Sequence, residues 1–168
     1  MARGTIYNNG INTTSLFNDL VNHLIDEMNE RLIKTFSSEA DLAVRFALGI
    51  RMTIRRAYTE PNWGRFIYKS FLCPQLLMKL WADETSPLFD FSKGIETKRF
   101  SIFPAQLVTV KAMIAGSVLS AIFLVLEGDK TDSEIGSELA ELILTLLGLS
   151  PDEVFYIANI VLPELADI

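Results

Sequence analysis

Hydrophobic residues recur along most of this chain every three or four positions, which is the period of an amphipathic α-helix and not of a β-strand. The first such segment runs from about Thr13 to Phe36, with Asn12 as a candidate N-cap. Its apolar positions, among them Phe17, Val21 and Leu32, share one arc of a helical wheel. The spacing predicts an amphipathic helix that is long enough to bridge two parts of a structure.

Proline, glycine and capping residues divide the rest of the chain into further segments. The predicted helices run from Ser38 to about Tyr58, from Pro74 to Trp81, from Pro104 to Leu126, from Ser133 to Leu147 and from Pro151 to about Leu162, and a short aromatic segment runs from Pro61 to Leu72. Residues 85–103 are interpreted as a connection with one possible helical turn. Gly148 is predicted to follow the end of the helix that begins at Ser133, and Ser150 is the predicted N-cap of the last helix. Because no strand pattern of comparable quality is present, the predicted fold class is all-α.

The segment from Pro104 to Leu126 is the most apolar part of the chain, and Lys111 is its only charged residue. A membrane-spanning helix needs about 20 consecutive apolar residues. Pro104 and Lys111 interrupt the run before that length is reached. We therefore interpret the segment as a core helix that is buried on nearly all sides, and we expect no membrane span.

A narrow stripe of polar side chains follows one side of this helix. These groups either line an internal cavity, where a few polar groups orient a mostly apolar ligand, or they bond locally to the carbonyl four residues earlier in an ordinary helix contact. The aromatic segment offers a second candidate lining, with plain core packing as its alternative. The predicted ligand-binding residues are Trp63, Phe66, Gln106, Thr109, Met113, Ser117 and Ser120.

Charge and composition narrow the functional classes. Residues 1–100 contain 13 Lys and Arg against 11 Asp and Glu, whereas residues 101–168 contain 2 against 10. Any contact with nucleic acid should therefore be confined to the first part of the chain. One cysteine, Cys73, provides neither an intrachain disulfide nor a thiolate zinc site, so a reducing, cytoplasmic location is expected.

The sequence contains no recognisable enzyme or phosphate-binding motif, so we predict no catalytic activity and no cofactor. One helix face does place Asp19, His23 and Glu27 one turn apart, which could hold a divalent ion. The simpler interpretation is a solvated polar face with local ion pairing, because no further ligand set is evident.

The opening residues, Arg3-Gly4-Thr5-Ile6-Tyr7-Asn8-Asn9 followed by Leu16-Phe17, resemble the TetR family of transcriptional repressors. They are similar to the end of its helix-turn-helix and the start of its long connecting helix. The resemblance implies that Thr5 and Tyr7 contact DNA phosphates and that Arg3 and Gly4 lie near base edges. Asn9 takes the place of a phosphate-binding histidine and Thr13 that of a lysine. Residues 1–12 would then be a remnant of the DNA-binding domain, and residues 13–168 the ligand-binding and dimerisation domain.

The end of the chain, from Leu147-Gly148 through Leu162-Pro163, resembles the last helical hairpin of the same family. The resemblance implies a homodimer, joined as a four-helix bundle by the last two long helices of each subunit. The predicted interface residues are Leu139, Leu142, Ile143, Leu146, Val154, Ile157, Ala158 and Val161.

The resemblance thus implies a cytoplasmic, ligand-responsive repressor that binds a small apolar effector, and DNA where the first helices are present. The alternative is a stand-alone dimeric, ligand-binding helical protein without DNA-binding activity, which the acidic isoelectric point of about 4.8 favours.

Overall fold

Regular structure in the computed structural model, which describes residues 13–71 and 87–168, is entirely helical. This confirms the predicted all-α class. The seven α-helices in these ranges are α1 (Thr13–Thr35), α2 (Leu42–Thr59), α3 (Pro61–Ser70), α4 (Pro87–Glu96), α5 (Leu107–Glu127), α6 (Asp132–Leu146) and α7 (Pro151–Ala158), and a 3₁₀ turn at Pro104–Gln106 precedes α5. The predicted helix from Pro74 to Trp81 lies outside the described residues.

Helix α2 forms the centre of the bundle and packs against α3, α4, α5, α6 and α7. Most of its residues are buried, including alanines at positions 43, 47 and 57 that let neighbouring helices approach closely. Phe46 extends from it to the rings of Phe91 and Phe100, with ring centroids 5.9 and 6.0 Å apart. These three rings form one end of the hydrophobic core.

Helix α2 begins at Leu42 and not at Ser38, because Asp41 is its N-cap. The Asp41 carboxylate accepts a 2.7 Å hydrogen bond from the backbone N–H of Ala43, and it also accepts bonds of 3.1 and 2.9 Å from Arg99. Burial alone would raise the pKa of Asp41, but these hydrogen bonds outweigh it and lower the pKa. The ion pair joins the start of α2 to the segment that follows α4.

Helix α4 spans ten residues where the sequence predicted a connection with one turn. Gly94, a residue type with low helix propensity, lies against the ring of Phe100. A Cβ at position 94 would lie 2.2 Å from that ring, so only glycine permits the contact. The glycine therefore serves the packing of α4 and does not end it.

The closing hairpin begins as predicted but ends early. Ser150 caps α7, and Gly148 adopts the left-handed conformation expected after the end of α6. Helix α7 stops at Ala158, four residues before the predicted end. The last two helices are thus not both long, because the second has only eight residues.

The chain after α7 runs back over α1 and α2 and is held there by backbone groups. Arg51 donates a 2.6 Å hydrogen bond to the carbonyl of Ile160, and Arg31 donates one of 2.8 Å to the carbonyl of Ala166. The N–H of Ala166 in turn donates to the Thr35 hydroxyl at 3.0 Å. The bonds of Arg31 and Thr35 hold the C-terminal end of α1, and that of Arg51 holds the segment against α2.

Helix α5 departs most from its prediction. It packs on α2, α3 and α6, yet only 28% of its most apolar 18-residue window is buried. Its length and composition alone would allow it to cross a membrane. A single helix of this kind is weak evidence for a membrane span, because core helices pass the same test. The expectation of burial on nearly all sides is wrong, because α5 has neighbours in the described structure on one side only.

Candidate functional site

A cavity of about 140 Å³ lies between α1, α2, α3 and α5. Residues three and four positions apart share one face of a helix, so each of these helices contributes one row of side chains to the cavity. None of the described lining residues is charged. They are Ile25, Met28, Asn29 and Leu32 from α1, Phe46, Gly49, Ile50 and Thr53 from α2, Trp63, Ile67 and Phe71 in and after α3, and Ile114, Ala115, Val118, Leu119 and Ile122 from α5.

The space has a simple origin in the sequence. Gly49 and Ala115 stand at lining positions where larger residues would fill the volume. An apolar cavity of roughly 150 Å³ is known to accept benzene. The cavity therefore has room for one aromatic ring with little else attached.

Two residues that line this cavity each carry a buried N–H group with no hydrogen-bond acceptor among the residues that the structure describes. The two nitrogens are Asn29 Nδ2 and Trp63 Nε1, in residues that are 5% and 8% exposed. The third polar residue, Thr53, donates its hydroxyl hydrogen to the carbonyl of Gly49 at 2.8 Å. A buried donor left unpaired costs about 1–3 kcal/mol, so these two positions favour an incoming acceptor.

An ion network connects the wall of the cavity to α1. The guanidinium carbon of Arg56 lies 4.5 Å from the centroid of the Trp63 ring, which is the geometry of a cation–π contact. Arg56 Nη1 donates to Glu27 Oε2 at 2.7 Å, and its Nη2 pairs with Glu60 at 3.2 Å. Glu27 also accepts a bond from Arg31. Trp63 is thereby held by a charge that is itself bound to α1.

This network includes Glu27, one of the three residues that could hold a divalent ion according to the sequence. Glu27 pairs with Arg31 one turn away, which agrees with local ion pairing, and also with Arg56 of α2, which the sequence interpretation did not include. Within residues 13–71 and 87–168, no three potential metal ligands come together.

The structure brings only one of the predicted ligand-binding residues, Trp63, to the cavity. Phe66 instead packs on Phe17, with ring centroids 5.5 Å apart, and on the small cluster of Val21 and Ile25. Gln106 and Thr109 are exposed at the start of α5 and outside the cavity lining.

The remaining three predicted residues, Met113, Ser117 and Ser120, line a groove on the opposite side of α5. Ser117 Oγ donates to the carbonyl of Met113 at 2.8 Å, and Ser120 Oγ donates to that of Gly116 at 2.9 Å. For the two serines, the local-bonding interpretation is confirmed. The position predicted for the stripe is thus corrected: the apolar side of the helix lines the cavity and the stripe faces outward.

The groove forms part of a largely apolar surface, which we call the α5–α6 face. Its small residues allow close approach, and a Cβ added at Gly116 would meet open space. The face comprises Ala112, Met113, Gly116, Ser117, Ser120, Phe123 and Leu124 of α5 and Ile135, Leu139, Leu142 and Leu146 of α6.

The predicted dimer residues divide into two groups. The buried group, which packs the hairpin within its own subunit, is Leu139, Ile143, Val154, Ile157 and Ala158. Leu142, Leu146 and Val161 are exposed, with Leu142 and Leu146 on the α5–α6 face. Met113 and Phe123 of α5 are also exposed, and neither was among the predicted interface residues.

The predicted DNA-binding residues Arg3, Gly4, Thr5, Tyr7 and Asn9 lie outside the described residues. Thr13 is the first residue of α1. Their contact with DNA stays a prediction.

The all-helical fold is that of the C-terminal domain of a TetR-type protein. The family model "Tetracyclin repressor-like, C-terminal domain" matches residues 41–159, and the chain belongs to this family. TetR-family regulators act as homodimers that bind small-molecule ligands and DNA, and they are generally not enzymes.

Two solved structures have the same fold. RolR in complex with resorcinol has a TM-score of 0.78 and 24% sequence identity, over 97% of this chain and 79% of that one. RolR without ligand has a TM-score of 0.75 and 23% identity, over 99% and 84% of the two chains. A search among curated proteins gives no match.

Proposed function

We propose that this chain is the effector-sensing and dimerisation part of a cytoplasmic, ligand-responsive TetR-type repressor, and that its effector is a small, mostly apolar molecule. The observation that carries this proposal is the uncharged cavity of about 140 Å³ between α1, α2, α3 and α5. RolR, which shares the fold, is described in complex with resorcinol. A single-ring molecule of that size fits the volume available here.

The position of α1 gives such an effector a means of control. One face of α1 lines the cavity, and its first residue adjoins the segment that resembles a DNA-reading helix. A ligand that binds one arrangement of α1 more tightly than another shifts the population towards that arrangement. In a dimer whose two readers must span half-sites about 34 Å apart, a small rotation of α1 would change the affinity for DNA.

We further propose that a second copy of the chain covers the α5–α6 face. This face leaves one side of a 21-residue apolar helix uncovered, and its glycine and serines permit close helix packing. Two α5 and two α6 helices would then form the four-helix interface. This pair replaces the α6–α7 hairpin predicted from the sequence, because the apolar side of that hairpin is largely used within the subunit.

The cavity can be tested by filling it. Ala115→Leu adds bulk at the lining, and Ala40→Leu makes the same exchange at an exposed position. We expect calorimetry to detect binding of toluene or phenol to the wild-type chain and to Ala40→Leu, with a loss of at least tenfold in Ala115→Leu. Equal binding by all three proteins would place the ligand elsewhere.

DNA binding is tested by gel shift with the DNA upstream of the gene. A form that carries the family's first two helices should bind it specifically and in a salt-sensitive manner, and an effector should release it. Tyr7→Ala should weaken the complex. Effector binding without any specific shift would favour the alternative, a stand-alone dimeric ligand-binding protein, which the acidic isoelectric point of about 4.8 supports.

A further inference from the structure

Two hydrogen-bond donors on residues that line the cavity have no acceptor among the described residues. They are Asn29 Nδ2 and Trp63 Nε1, and both are buried. An indole N–H can only donate, so no change of protonation can satisfy Trp63. What is missing at this site is an acceptor atom.

The two donors belong to different helices. Asn29 lies on the cavity face of α1, and Trp63 lies in the first turns of α3. Both residues line the same cavity, whose other described surfaces are almost entirely hydrocarbon. An acceptor that reaches both nitrogens would join the two helices, and no other buried side-chain donor among the described residues lacks a partner.

The charge of the ligand follows from the lining. No described lining residue is charged, so an ionised carboxylate would lose its hydration without gaining a cation. Arg56 is the nearest described cation to Trp63, but Glu27 and Glu60 already pair with it and its guanidinium covers the indole ring. A neutral oxygen, such as a phenol hydroxyl or a carbonyl, fits better.

We propose that the cavity recognises an uncharged, single-ring ligand through an oxygen acceptor held by Asn29 Nδ2 and Trp63 Nε1. This inference rests on the proposed function, because it assigns the chemistry of the same effector site. Such a ligand ties α1 to α3, whereas a pure hydrocarbon of equal size only fills space.

Three probes separate shape from hydrogen bonding. Phenol and toluene have the same number of heavy atoms and nearly the same shape, and benzoate adds a negative charge. The chain is titrated with each probe by calorimetry, alongside Trp63→Phe, Asn29→Leu and the double variant, which keep apolar bulk and remove the donors. Circular dichroism and thermal melting verify that each variant is folded.

In the wild-type chain we expect phenol to bind at least as tightly as toluene, although phenol loses more hydration on entry, and benzoate to bind at least tenfold more weakly than phenol. The ratio of phenol to toluene affinity should fall about threefold to tenfold in each single variant and further in the double variant. Toluene affinity itself should change little.

The outcomes distinguish the two proposals. An unchanged phenol-to-toluene ratio in the folded variants would overturn the role of the donors, while binding that Ala115→Leu abolishes would still support the cavity as the effector site. Benzoate binding tighter than phenol would overturn the neutral-ligand inference. If none of the three probes binds to the wild-type chain, both proposals are wrong.

Discussion

The two sides of α5 are both apolar, yet they differ in what covers them. On the inner side, Ile114, Val118 and Ile122 meet α1, α2 and α3 around a cavity. On the outer side, Gly116 and Ser120 belong to an open face that no described residue of this chain covers. Hydropathy does not separate the two sides, but their contacts do. The inner side borders a space for a small molecule, and the glycine and serines of the outer side leave room for a second helix.

The polar groups of the two sides sharpen this contrast. The serine hydroxyls on the outer side bond to their own helix, so nothing there requires a polar ligand. Across the cavity from the inner side, Asn29 and Trp63 keep unpaired donors. A buried unpaired donor therefore indicates a ligand more directly than a visible stripe of hydroxyl groups does.

The largest effect should come from placing a charge on the inner side. Ile122 is 1% exposed, whereas Val108, at the start of the same helix, is 65% exposed and does not line the groove of the α5–α6 face. Ile122→Asp buries a carboxylate without a partner, so we expect a loss of more than about 4 kcal/mol in the free energy of unfolding, or insoluble protein. Val108→Asp, which places the same charge at an exposed position of this helix, should fold and remain soluble. Urea denaturation compares the two variants, and similar losses for both would show that the buried and exposed positions of α5 are not distinct.

A charge on the outer face should instead change the oligomeric state. Leu142, 69% exposed, lies on the α5–α6 face, whereas Val161, 88% exposed, lies in the tail after α7. We expect Leu142→Glu to give folded monomers in light scattering, because the charge would be buried in the dimer. Val161→Glu should remain dimeric. Monomers from Val161→Glu alone would favour an interface formed by the closing hairpin.

The Asp41–Arg99 pair is remote from both sides of α5 and provides a reference for ordinary surface electrostatics. Asp41→Asn keeps an N-cap residue but removes the charge, and for this partly exposed pair we expect a loss of about 0.5–1 kcal/mol near neutral pH. Because the pKa of Asp41 is lowered in the fold, its contribution is present above the unfolded pKa of about 4 and is lost as the pH falls through the folded value. Denaturation from pH 7 to pH 3 should therefore show the two proteins converging in acid, and a constant difference would contradict this assignment.

The smallest effect should come from the outer hydroxyl groups. Ser117→Ala and Ser120→Ala each remove only a bond to the same helix, so we expect changes of less than about 0.5 kcal/mol in stability. Affinity for phenol should be unchanged. A marked loss of phenol binding would restore these serines as ligand contacts.

The sequence predicts the helices well where local signals set them. The Ser150 cap and the glycine after α6 were correct, since both depend on neighbouring residues. Helix α4 could not be predicted, because glycine at position 94 disfavours a helix locally. Its contact with the ring of Phe100 explains the glycine, and that contact is known only from the structure.

The candidate site is less predictable than the helices, because it depends on contacts between residues that are distant in the sequence. Periodicity indicates which residues of α5 share a side, but not which side the rest of the chain covers. Trp63 was predicted as a ligand residue, and Asn29 was not, because its unpaired donor becomes visible only when every neighbour is in place.

The hydrogen bonds between the segment around Ala166 and α1 hold one end of that helix, so the helix can tilt around this end. Ala166 is bonded to Arg31 and Thr35 at the C-terminal end of α1, while the other end reaches Thr13. The 23 residues of α1 span about 35 Å, so a tilt of about 5° around the fixed end would carry Thr13 through about 3 Å. Residues around Ala166 are thus the fixed point of such a tilt, and a change that removes their bonds to α1 would alter the movement of a residue more than 150 positions earlier.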